Sequence, residues 1–574
     1  MSQFSHSGRH FVSNFQIADR VTKSKRDLIL SILRSTTTKR EAKNFLERYH
    51  NQLDFKDTSF HQPSQRSHLA TKGSRNQVEI ERFLRGISPT VKSKNNGVST
   101  VSRVPLRIAL FKISMSSVSS EYFSGISETL NRLMQLGVHP VIVCGQENIS
   151  NHSFKSVSSF LNEQAEKLSQ CLSNGVKNGL EPRQTNLTRL LFIEKSHGIS
   201  VDSLEQILIP MYQGIIPIVL PAIYDAKDGT QRFIEPKDAL FHLCSKLSEI
   251  PDLLTIEKII FIDSLGGIPS IERNQTSHVF INLSQEFSDI ISELYIGHLS
   301  PKKRESHLSN LESMNKILGL ISEKTHSNDT TGIITTPSVM SVNDDQLNPV
   351  VYNILTDRPI ISSSLPSYLQ RTPQISTSII KKGFEVTVID ESSYNGNFGF
   401  SNLVKDKLID KDKLTHLIND SFGRNLRVQE YLNRIEDSLA TIIIVGDYEG
   451  AAIITWEYLS NGDRIAYLDK FAIAKRNQGL PGLADIIFKL ITQSHQTELL
   501  WRSRANNPVN KWYFERCRGS VNVPRSPWKF FYTGDTYDRR MGTKIDGTQE
   551  SGIDIAEKLF LYSELIENLQ PSFE

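Results

Sequence analysis

One stretch near the carboxyl end, residues 467–520, constrains the fold of this chain more than any other part. It contains YLDKFAIAKRNQGLPGLADIIFKL and, a few residues later, LLWRSRANNPVNKWYFERCRGS. The pattern predicts a strand, a glycine-containing turn, an amphipathic helix and a second strand that leads through a polar loop into an aromatic segment. Such a turn suits a phosphate group, because free N–H groups and the positive end of the helix dipole point the same way.

Two arginines follow on the second predicted strand. Arg502 and Arg504 are two residues apart, so their side chains are expected to project from one face. Two guanidinium groups on one face match a compound that carries carboxylates. The stretch therefore predicts an anion cradle beside a carboxylate clamp, which indicates a two-substrate site with one nucleotide-like cofactor. The alternatives are a plain glycine turn and a solvated strand face.

Length and composition narrow the class of protein. The chain has 574 residues, which favours two large domains, and its net charge of +3 comes without a long basic stripe that would indicate nucleic acid. The four cysteines lie far apart and form no CxxC pair, which argues for a reducing compartment and against a zinc site or disulfide framework. No apolar run approaches the roughly 18 residues of a membrane helix. We therefore expect no metal, no nucleic-acid partner and no membrane span.

The amino-terminal part predicts targeting followed by a linker. Residues 1–23 are basic and serine-rich, with Asp19 as the first acidic residue, which is typical of a mitochondrial transit peptide. The alternative is a tail of no consequence. Residues 24–104 begin with apolar residues at helical spacing and continue into a stretch rich in Ser, Lys, Asn, Gln and Arg, which predicts helices and then a poorly ordered linker.

The two halves of the remaining chain predict different α/β domains. From 105 to 366 buried strands alternate with amphipathic helices, beginning with LRIALFKIS, a helix closed by Gly137, and HPVIVCG. This βαβ unit predicts a parallel, doubly wound sheet. Further along the chain, Gly266–Gly267 predicts either a close approach of two backbone segments or a plain turn. A tether at 366–375 then leads to a second domain at 378–562. That domain begins with one strand, IIKKGFEVTVID, followed by helices and an antiparallel hairpin.

The order of elements in the second half is similar to the Gcn5-related N-acetyltransferase (GNAT) fold. The family's phosphate loop is usually [RQ]xxGx[GA], whereas this chain has RNQGLPG over 476–482, with Pro481 in place of the last small residue. The flanking YLDKF, LLWRSR and NNPVNKWYF, with the upstream GGIPS and HVFINLSQE, closely resemble fungal-type mitochondrial N-acetylglutamate synthases. That resemblance implies an amino-acid-kinase-like three-layer α/β domain followed by a GNAT domain. It also implies synthesis of N-acetyl-L-glutamate from acetyl-CoA and L-glutamate, the first step of arginine biosynthesis.

The resemblance also assigns residue roles. The implied glutamate contacts are Lys470, Arg502, Arg504, Arg424 and Tyr467. The implied acetyl-CoA contacts are Phe471, Ala472, Ile473, Gln478, Gly479 and Gly482. Tyr513 would donate a proton to the departing thiolate, with Asn507 as a second catalytic residue that forms hydrogen bonds nearby. The structural alternatives are a pairing of Lys470 with Asp469, and a Tyr513 that only fills the core.

The first half departs from an active amino-acid kinase. Its first strand leads into FKISMSSVSS, where Lys112 is present but the glycine-rich phosphate loop is missing. The resemblance instead implies a regulatory and assembly role in the mitochondrial matrix, with arginine as feedback inhibitor. A homo-oligomer and a complex with acetylglutamate kinase are further expectations. The rival hypotheses are an acetylglutamate-kinase-like phosphotransferase and an arginine-sensing subunit without acetyltransferase activity.

Overall fold

The computed structural model describes residues 105–146, 153–174, 182–189, 191–195, 198–271, 273, 276–297, 299–342, 348–365, 375–478, 482–534 and 555–574. The predicted transit peptide at 1–23 and the predicted helices and linker at 24–104 lie outside these residues. The described residues form two compact units. The first takes in 105–360 and 375–382, and the second takes in 361–365 and 383–574, with the gaps given above.

The first unit is a mixed α/β structure. Its strands are β1 (Leu106–Ser114), β2 (Val138–Gly145), β3 (Thr185–Thr188), β4 (Phe192–Lys195), β5 (Gly198–Val201), β6 (Ile216–Val219), β7 (Ala222–Asp225), β8 (Gln231–Phe233), β9 (Leu254–Ile262), β10 (Phe280–Asn282), β11 (Thr331–Thr335) and β12 (Ser378–Lys381). Its helices are α1 (Tyr122–Gln135), α2 (Phe154–Ser173), α3 (Glu205–Tyr212), α4 (Pro236–Leu247), α5 (Leu283–Ile296), α6 (Pro301–Thr325), α7 (Pro337–Met340) and α8 (Pro349–Thr356).

An eight-stranded sheet in the order β10-β12-β11-β9-β1-β2-β6-β3 forms the centre of this unit, and a four-stranded sheet β5-β4-β7-β8 accompanies it. Strands β1 and β2 are parallel and joined by α1, which confirms the predicted βαβ unit. Residues 108–111 of β1 are all fully buried. Because successive side chains of a strand point to opposite faces, both faces of the sheet are covered, as in a three-layer α/β domain.

A tight approach of backbone segments lies beside the end of β9. Gly266 has a φ of +69°, and a Cβ on Gly267 would lie 2.6 Å from the Ser277 Oγ and 2.7 Å from the Ser378 N. The Gly267 N–H donates to the Ser376 carbonyl at 2.8 Å. These positions have no room for a side chain, so the close approach predicted for this glycine pair is confirmed.

The second unit is built on a seven-stranded sheet. Its strands are β13 (Val386–Asp390), β14 (Leu439–Val445), β15 (Gly450–Tyr458), β16 (Arg464–Ile473), β17 (Leu499–Arg504), β18 (Gly519–Asn522) and β19 (Trp528–Thr533), in the order β13-β14-β15-β16-β17-β19-β18. Its helices are α9 (Phe400–Lys405), α10 (Lys411–Phe422), α11 (Val428–Ile435), α12 (Leu483–Ser494), α13 (Asn510–Phe514) and α14 (Ile555–Asn568). The predicted hairpin is β14–β15, and the predicted helix pair is α10 and α11, separated at Gly423.

The single strand predicted over 379–390 is wrong, because the structure has two strands there. β12 pairs with β10 and β11 in the first sheet, whereas β13 pairs with β14 in the second. Gly383, with a φ of +70°, turns the chain between them. The second unit therefore takes over at Gly383 rather than at Ser378, where the sequence placed its start.

Candidate active site

The predicted site lies where the neighbouring parallel strands β16 and β17 separate. They pair only through Ala466–Leu468 and Leu499–Trp501. Beyond that point β16 continues to Ile473 and β17 to Arg504, with no further pairing between them. The gap exposes an edge of β16 whose backbone groups no longer meet β17, so a ligand with its own amide groups can dock there.

A β-bulge in β16 sets the position of Lys470. Ile453 pairs with Lys470 while Ile454 pairs with Leu468, so Asp469 is the extra residue. Lys470 is only 4% exposed. Its Nζ donates to the Asp469 Oδ2 at 2.6 Å and to the Ser572 Oγ at 2.8 Å. The pairing of Lys470 with Asp469, which was the structural alternative, is therefore present in the structure.

Asp469 is the negative centre of a buried charge network. It forms ion pairs with Lys470 and Arg434, and Arg434 also pairs with Glu457 at 2.9 Å. Burial alone would raise the pKa of Asp469, but the charges of Lys470 and Arg434 outweigh it and lower that pKa to about 2. Burial lowers the pKa of Lys470, with Asp469 opposing the shift. The sequence reasoning missed Arg434 and Glu457, although an Asp–Lys pair in an otherwise apolar strand was a signal.

Arg502 and Arg504 project from one face of β17, as predicted. Their guanidinium carbons lie 4.4 Å and 5.9 Å from the centre of the Trp528 ring. The Arg502 Nη1 donates to the carbonyl oxygens of Ile566, at 2.9 Å, and Leu569, at 2.8 Å. Arg504 is exposed, and within the part of the chain that the structure describes its guanidinium makes no hydrogen bond or ion pair. Its donors are thus available to a carboxylate.

Tyr513 lies on the opposite face of the sheet from the two arginines. It belongs to the short helix α13, and its ring is 5.8 Å from that of Trp501 and 5.3 Å from that of Phe531. Because Trp501 directly precedes Arg502 in β17, their side chains point to opposite faces. Burial raises the pKa of Tyr513, which keeps its hydroxyl protonated at neutral pH. A protonated hydroxyl is what a general acid requires.

The loop between β17 and α13 is held by asparagines. The Asn507 Oδ1 accepts from the Val509 N–H at 3.1 Å, and the Asn507 N–H donates to the Arg504 carbonyl at 2.9 Å. The Asn510 side-chain amide donates to the Arg504 carbonyl at 2.9 Å. Asn507 therefore shapes the entry to α13, and Asn510, which the sequence reasoning missed, joins that helix to the end of β17.

Tyr467 and Arg424 occupy different surroundings. Tyr467 is 2% exposed and packs in the same cluster as Tyr562 of α14. Burial raises its pKa, and the charge of Arg502 opposes this. Arg424 is exposed in the turn after α10, and the described residues give its guanidinium no hydrogen bond or ion pair. The assignment of both residues to glutamate binding stays a prediction.

The residues predicted to meet acetyl-CoA lie around the open end of β16. Phe471 stacks on Trp512 with ring centres 5.9 Å apart, and Ala472 is buried. The Ile473 N–H donates to the Ser421 Oγ at 3.0 Å, and the Gln478 amide donates to the Ile473 carbonyl at 2.9 Å. In this conformation Gln478 ties the loop after β16 to the strand.

The helix that follows the loop begins at the predicted glycine. Gly482 has a φ of +95°, which favours glycine, and α12 starts at Leu483. Gly479 lies outside the described residues. In the first turn of α12, Asp485 pairs with the buried Arg516 at 3.0 Å, so its negative charge at the helix N-terminus is balanced. This ion pair, which joins residues 31 positions apart in the chain, was not predicted from the sequence.

Three comparisons place the chain among known proteins. Residues 400–553 match the family model described as N-acetyltransferase of N-acetylglutamate synthase. The chain is 50% identical to the mitochondrial amino-acid acetyltransferases of Debaryomyces hansenii and Candida albicans, with 100% of each chain covered. It is 35% identical to that of Yarrowia lipolytica over 89% of both chains. The chain belongs to the mitochondrial amino-acid acetyltransferase family.

A solved structure of N-acetylglutamate synthase from Neisseria gonorrhoeae, complexed with coenzyme A and L-arginine, is also similar. It shares 12% identity at a TM-score of 0.36, over 75% of this chain and 96% of that chain. The family assignment rests on the sequence relatives. Membership confirms the predicted acyltransferase and the predicted mitochondrial location, since the relatives carry that designation in their names. The matrix as compartment stays a prediction.

The first unit of this acetyltransferase has no glycine loop after β1. Met115–Ser117 form a 3-10 helix there, and the Lys112 Nζ donates to the Asn310 Oδ1 at 3.0 Å.

Among the described residues, no group of three or more His, Cys, Asp or Glu side chains could hold a metal ion. No helix among them is long and apolar enough to cross a membrane. Burial raises the pKa of Cys517 to about 11, so its thiol is a poor nucleophile at neutral pH.

Proposed function

We propose that this enzyme transfers the acetyl group of acetyl-CoA to the α-amine of L-glutamate by direct attack in a ternary complex. The observation that carries the proposal is the gap between β16 and β17, with cations on one face and Tyr513 on the other. A thioester in this gap would have the acceptor on one side and the departing sulfur on the other. Glutamate needs fixed cations because it carries two carboxylates.

The acceptor side uses Arg504, Arg502 and Lys470. The exposed guanidinium of Arg504 offers a bidentate contact to one carboxylate, and Lys470 with Arg502 would meet the other once their present partners are exchanged. Asp469 and Arg434 hold Lys470 in place rather than bind substrate. This arrangement orients the α-amine toward the gap.

The donor side uses the edge of β16 and the N-terminus of α12. The backbone around Phe471 and Ala472 would bond the pantetheine arm, and the N–H groups after Gly482 would meet the pyrophosphate. Because Asp485 is paired with Arg516, it does not repel that anion fully. The acetyl-CoA contacts of Gln478 and Gly479 remain part of this proposal.

The reaction then proceeds in balanced steps. The neutral α-amine attacks the thioester carbonyl carbon, and a backbone N–H of β16 stabilises the oxyanion of the tetrahedral intermediate. As the intermediate collapses, the C–S bond breaks and the thiolate takes the hydroxyl proton of Tyr513. The proton released by the amine passes through water back to the tyrosinate. N-acetylglutamate and CoA leave.

The test is release of CoA by the purified chain with acetyl-CoA and a panel of amino acids. We expect release with glutamate and far less with glutamine or aspartate. Glutamine lacks the side-chain carboxylate of glutamate, and the side chain of aspartate is one methylene shorter. Release that is equal for all amines, or that is absent with glutamate, would contradict the proposal. Repeating the assay with arginine tests the proposed feedback inhibition. Size-exclusion chromatography of the protein alone tests the proposed homo-oligomer, and the same measurement with acetylglutamate kinase added tests the proposed complex.

A further inference from the structure

The segment that follows α14, residues 569–574, covers the cations of the proposed glutamate pocket. The Arg502 guanidinium donates to the carbonyl oxygens of Leu569, at 2.8 Å, and Gln570, at 3.4 Å. The Lys470 Nζ donates to the Ser572 Oγ at 2.8 Å, and the Phe573 ring centre lies 5.5 Å from that nitrogen. The 569–574 segment thus contacts two of the three cations that we assign to glutamate.

The 569–574 segment is anchored beside the turn between α10 and α11 by backbone hydrogen bonds and one isolated β-bridge. The Arg427 N–H donates to the Ser572 carbonyl at 3.0 Å, and the Glu574 N–H donates to the Asn425 carbonyl at 3.1 Å. Leu426 and Phe573 form an isolated antiparallel bridge. The Phe573 ring lies 4.8 Å from that of Phe422 at the end of α10. The segment is thus held outside the sheet by these hydrogen bonds, by a bond from the Arg427 guanidinium to the Pro571 carbonyl, and by the packing of Phe573 against the core cluster that includes Leu426.

Substrate cannot reach Lys470 while the segment lies there. Lys470 is 4% exposed, and Asp469 and Ser572 already accept from its ammonium group. The partners that the segment supplies are neutral, a hydroxyl and carbonyl oxygens. Charge-assisted hydrogen bonds to a carboxylate are stronger than bonds to neutral acceptors, so a glutamate carboxylate can replace them.

We infer that the 569–574 segment is a strap that occupies the glutamate pocket of the resting enzyme and leaves it when glutamate binds. The inference rests on the proposed function, because it takes Lys470 and Arg502 as glutamate ligands. Glutamate binds only the enzyme molecules from which the strap has left the pocket. The apparent affinity for glutamate is therefore reduced in proportion to the fraction of those molecules. The strap therefore raises the KM for glutamate and leaves that for acetyl-CoA unchanged.

Hydrogen exchange on the full chain tests the strap without any substitution. The Arg427 N–H donates to the Ser572 carbonyl, and the Glu574 N–H donates to the Asn425 carbonyl. Both hydrogen bonds break when the strap leaves, so exchange of these two amides reports its release. We expect saturating glutamate to speed their exchange, while the Ile486 amide inside α12 is unaffected. Unchanged or slower exchange at Arg427 and Glu574, in protein that releases CoA with glutamate, would overturn the strap and leave the proposed function intact. Protein without glutamate-dependent CoA release would overturn both.

A paired substitution tests the direction of the effect. Phe573→Ala removes the ring that packs on Phe422 and lies 5.5 Å from the Lys470 nitrogen, and it leaves every hydrogen-bond donor and acceptor in place. Phe560→Ala removes a ring that is 71% exposed on α14. Because an aromatic pair contributes modestly to binding, we expect Phe573→Ala to lower the KM for glutamate about 2- to 10-fold. Phe560→Ala should leave both KM values unchanged. A KM for glutamate that is raised or unaltered in Phe573→Ala would show that residues 569–574 are a fixed part of the structure and do not leave the pocket.

Discussion

At the scale of single residues, Asp469 governs the charge of the proposed glutamate pocket. It is buried, and it balances Lys470 and Arg434 at once. A carboxylate with a lowered folded-state pKa stabilises the fold above its unfolded pKa, and this contribution is lost as the pH falls through the folded value. For Asp469 that window runs from about pH 4 down to about 2.

Asp469→Asn is therefore expected to lower the free energy of unfolding at neutral pH by about 2 kcal/mol, from the size of the pKa shift. Denaturant unfolding at several pH values measures this difference between the variant and the native chain. The difference should stay constant from pH 7 to 5 and shrink as the acid limit is approached. A difference that grows toward low pH would contradict the charge network.

Tyr513 carries the prediction about chemistry. Tyr513→Phe keeps the ring packed against Trp501 but removes the hydroxyl proton. We expect kcat to fall by about 10²–10⁴, the usual size of general acid catalysis, with both KM values nearly unchanged. Tyr458→Phe, at a side chain that is 69% exposed, is the matched control. If Tyr513→Phe kept its kcat, the hydroxyl would be a core group only.

At the scale of elements, a row of polar side chains crosses three strands of the first sheet. Thr331 of β11 is in register with Lys258 of β9 and with Lys381 of β12. All three bond Asp357 at the end of α8, with 2.6 Å from the Lys258 Nζ and 2.8 Å from the Thr331 Oγ1. Asp357 thus forms ion pairs with two lysines at once, one of them fully buried.

Asp357→Asn should destabilise the first unit strongly, because it leaves two lysines without their carboxylate, one of them fully buried. Breaking a buried pair costs about 3–5 kcal/mol. Asparagine tolerates the left-handed backbone at this position, where φ is 58°, so the substitution isolates the charge. Asp202→Ala, at a half-exposed ion pair in the same unit, should change stability by less than about 1 kcal/mol. Thermal unfolding compares the two.

The elements around the site were largely predictable from periodicity, whereas its contacts were not. Strand β16, helix α12 and strand β17 follow the apolar pattern of the sequence, and the spacing of Arg502 and Arg504 fixed their common face. The bulge at Asp469 was not predictable, because it depends on register with β15. The contacts of residues 569–574 with Lys470 and Arg502 join positions about a hundred and about seventy residues apart, which no local pattern encodes.

At the scale of the whole molecule, the chain combines a first α/β unit with an acetyltransferase unit. The loop after β1 lacks the glycines that bring backbone N–H groups to a phosphate, and Lys112 is engaged by Asn310. We therefore predict that the full chain releases no ADP from ATP and N-acetylglutamate under conditions in which it releases CoA from acetyl-CoA and glutamate. ADP release at a comparable rate would revive the phosphotransferase hypothesis.

The central claim is that the arginine face of β17 holds glutamate while acetyl-CoA binds elsewhere. The most direct test is the pair of KM values in Arg504→Ala, with Arg464→Ala, an exposed arginine that lies over Trp456 at the start of β16, as control. A charge-assisted hydrogen bond is worth about 1.5–3 kcal/mol, so we predict that the KM for glutamate rises about 10- to 100-fold in Arg504→Ala. The KM for acetyl-CoA should stay within about twofold. Equal rises in both values, or no rise in the KM for glutamate, would contradict the account.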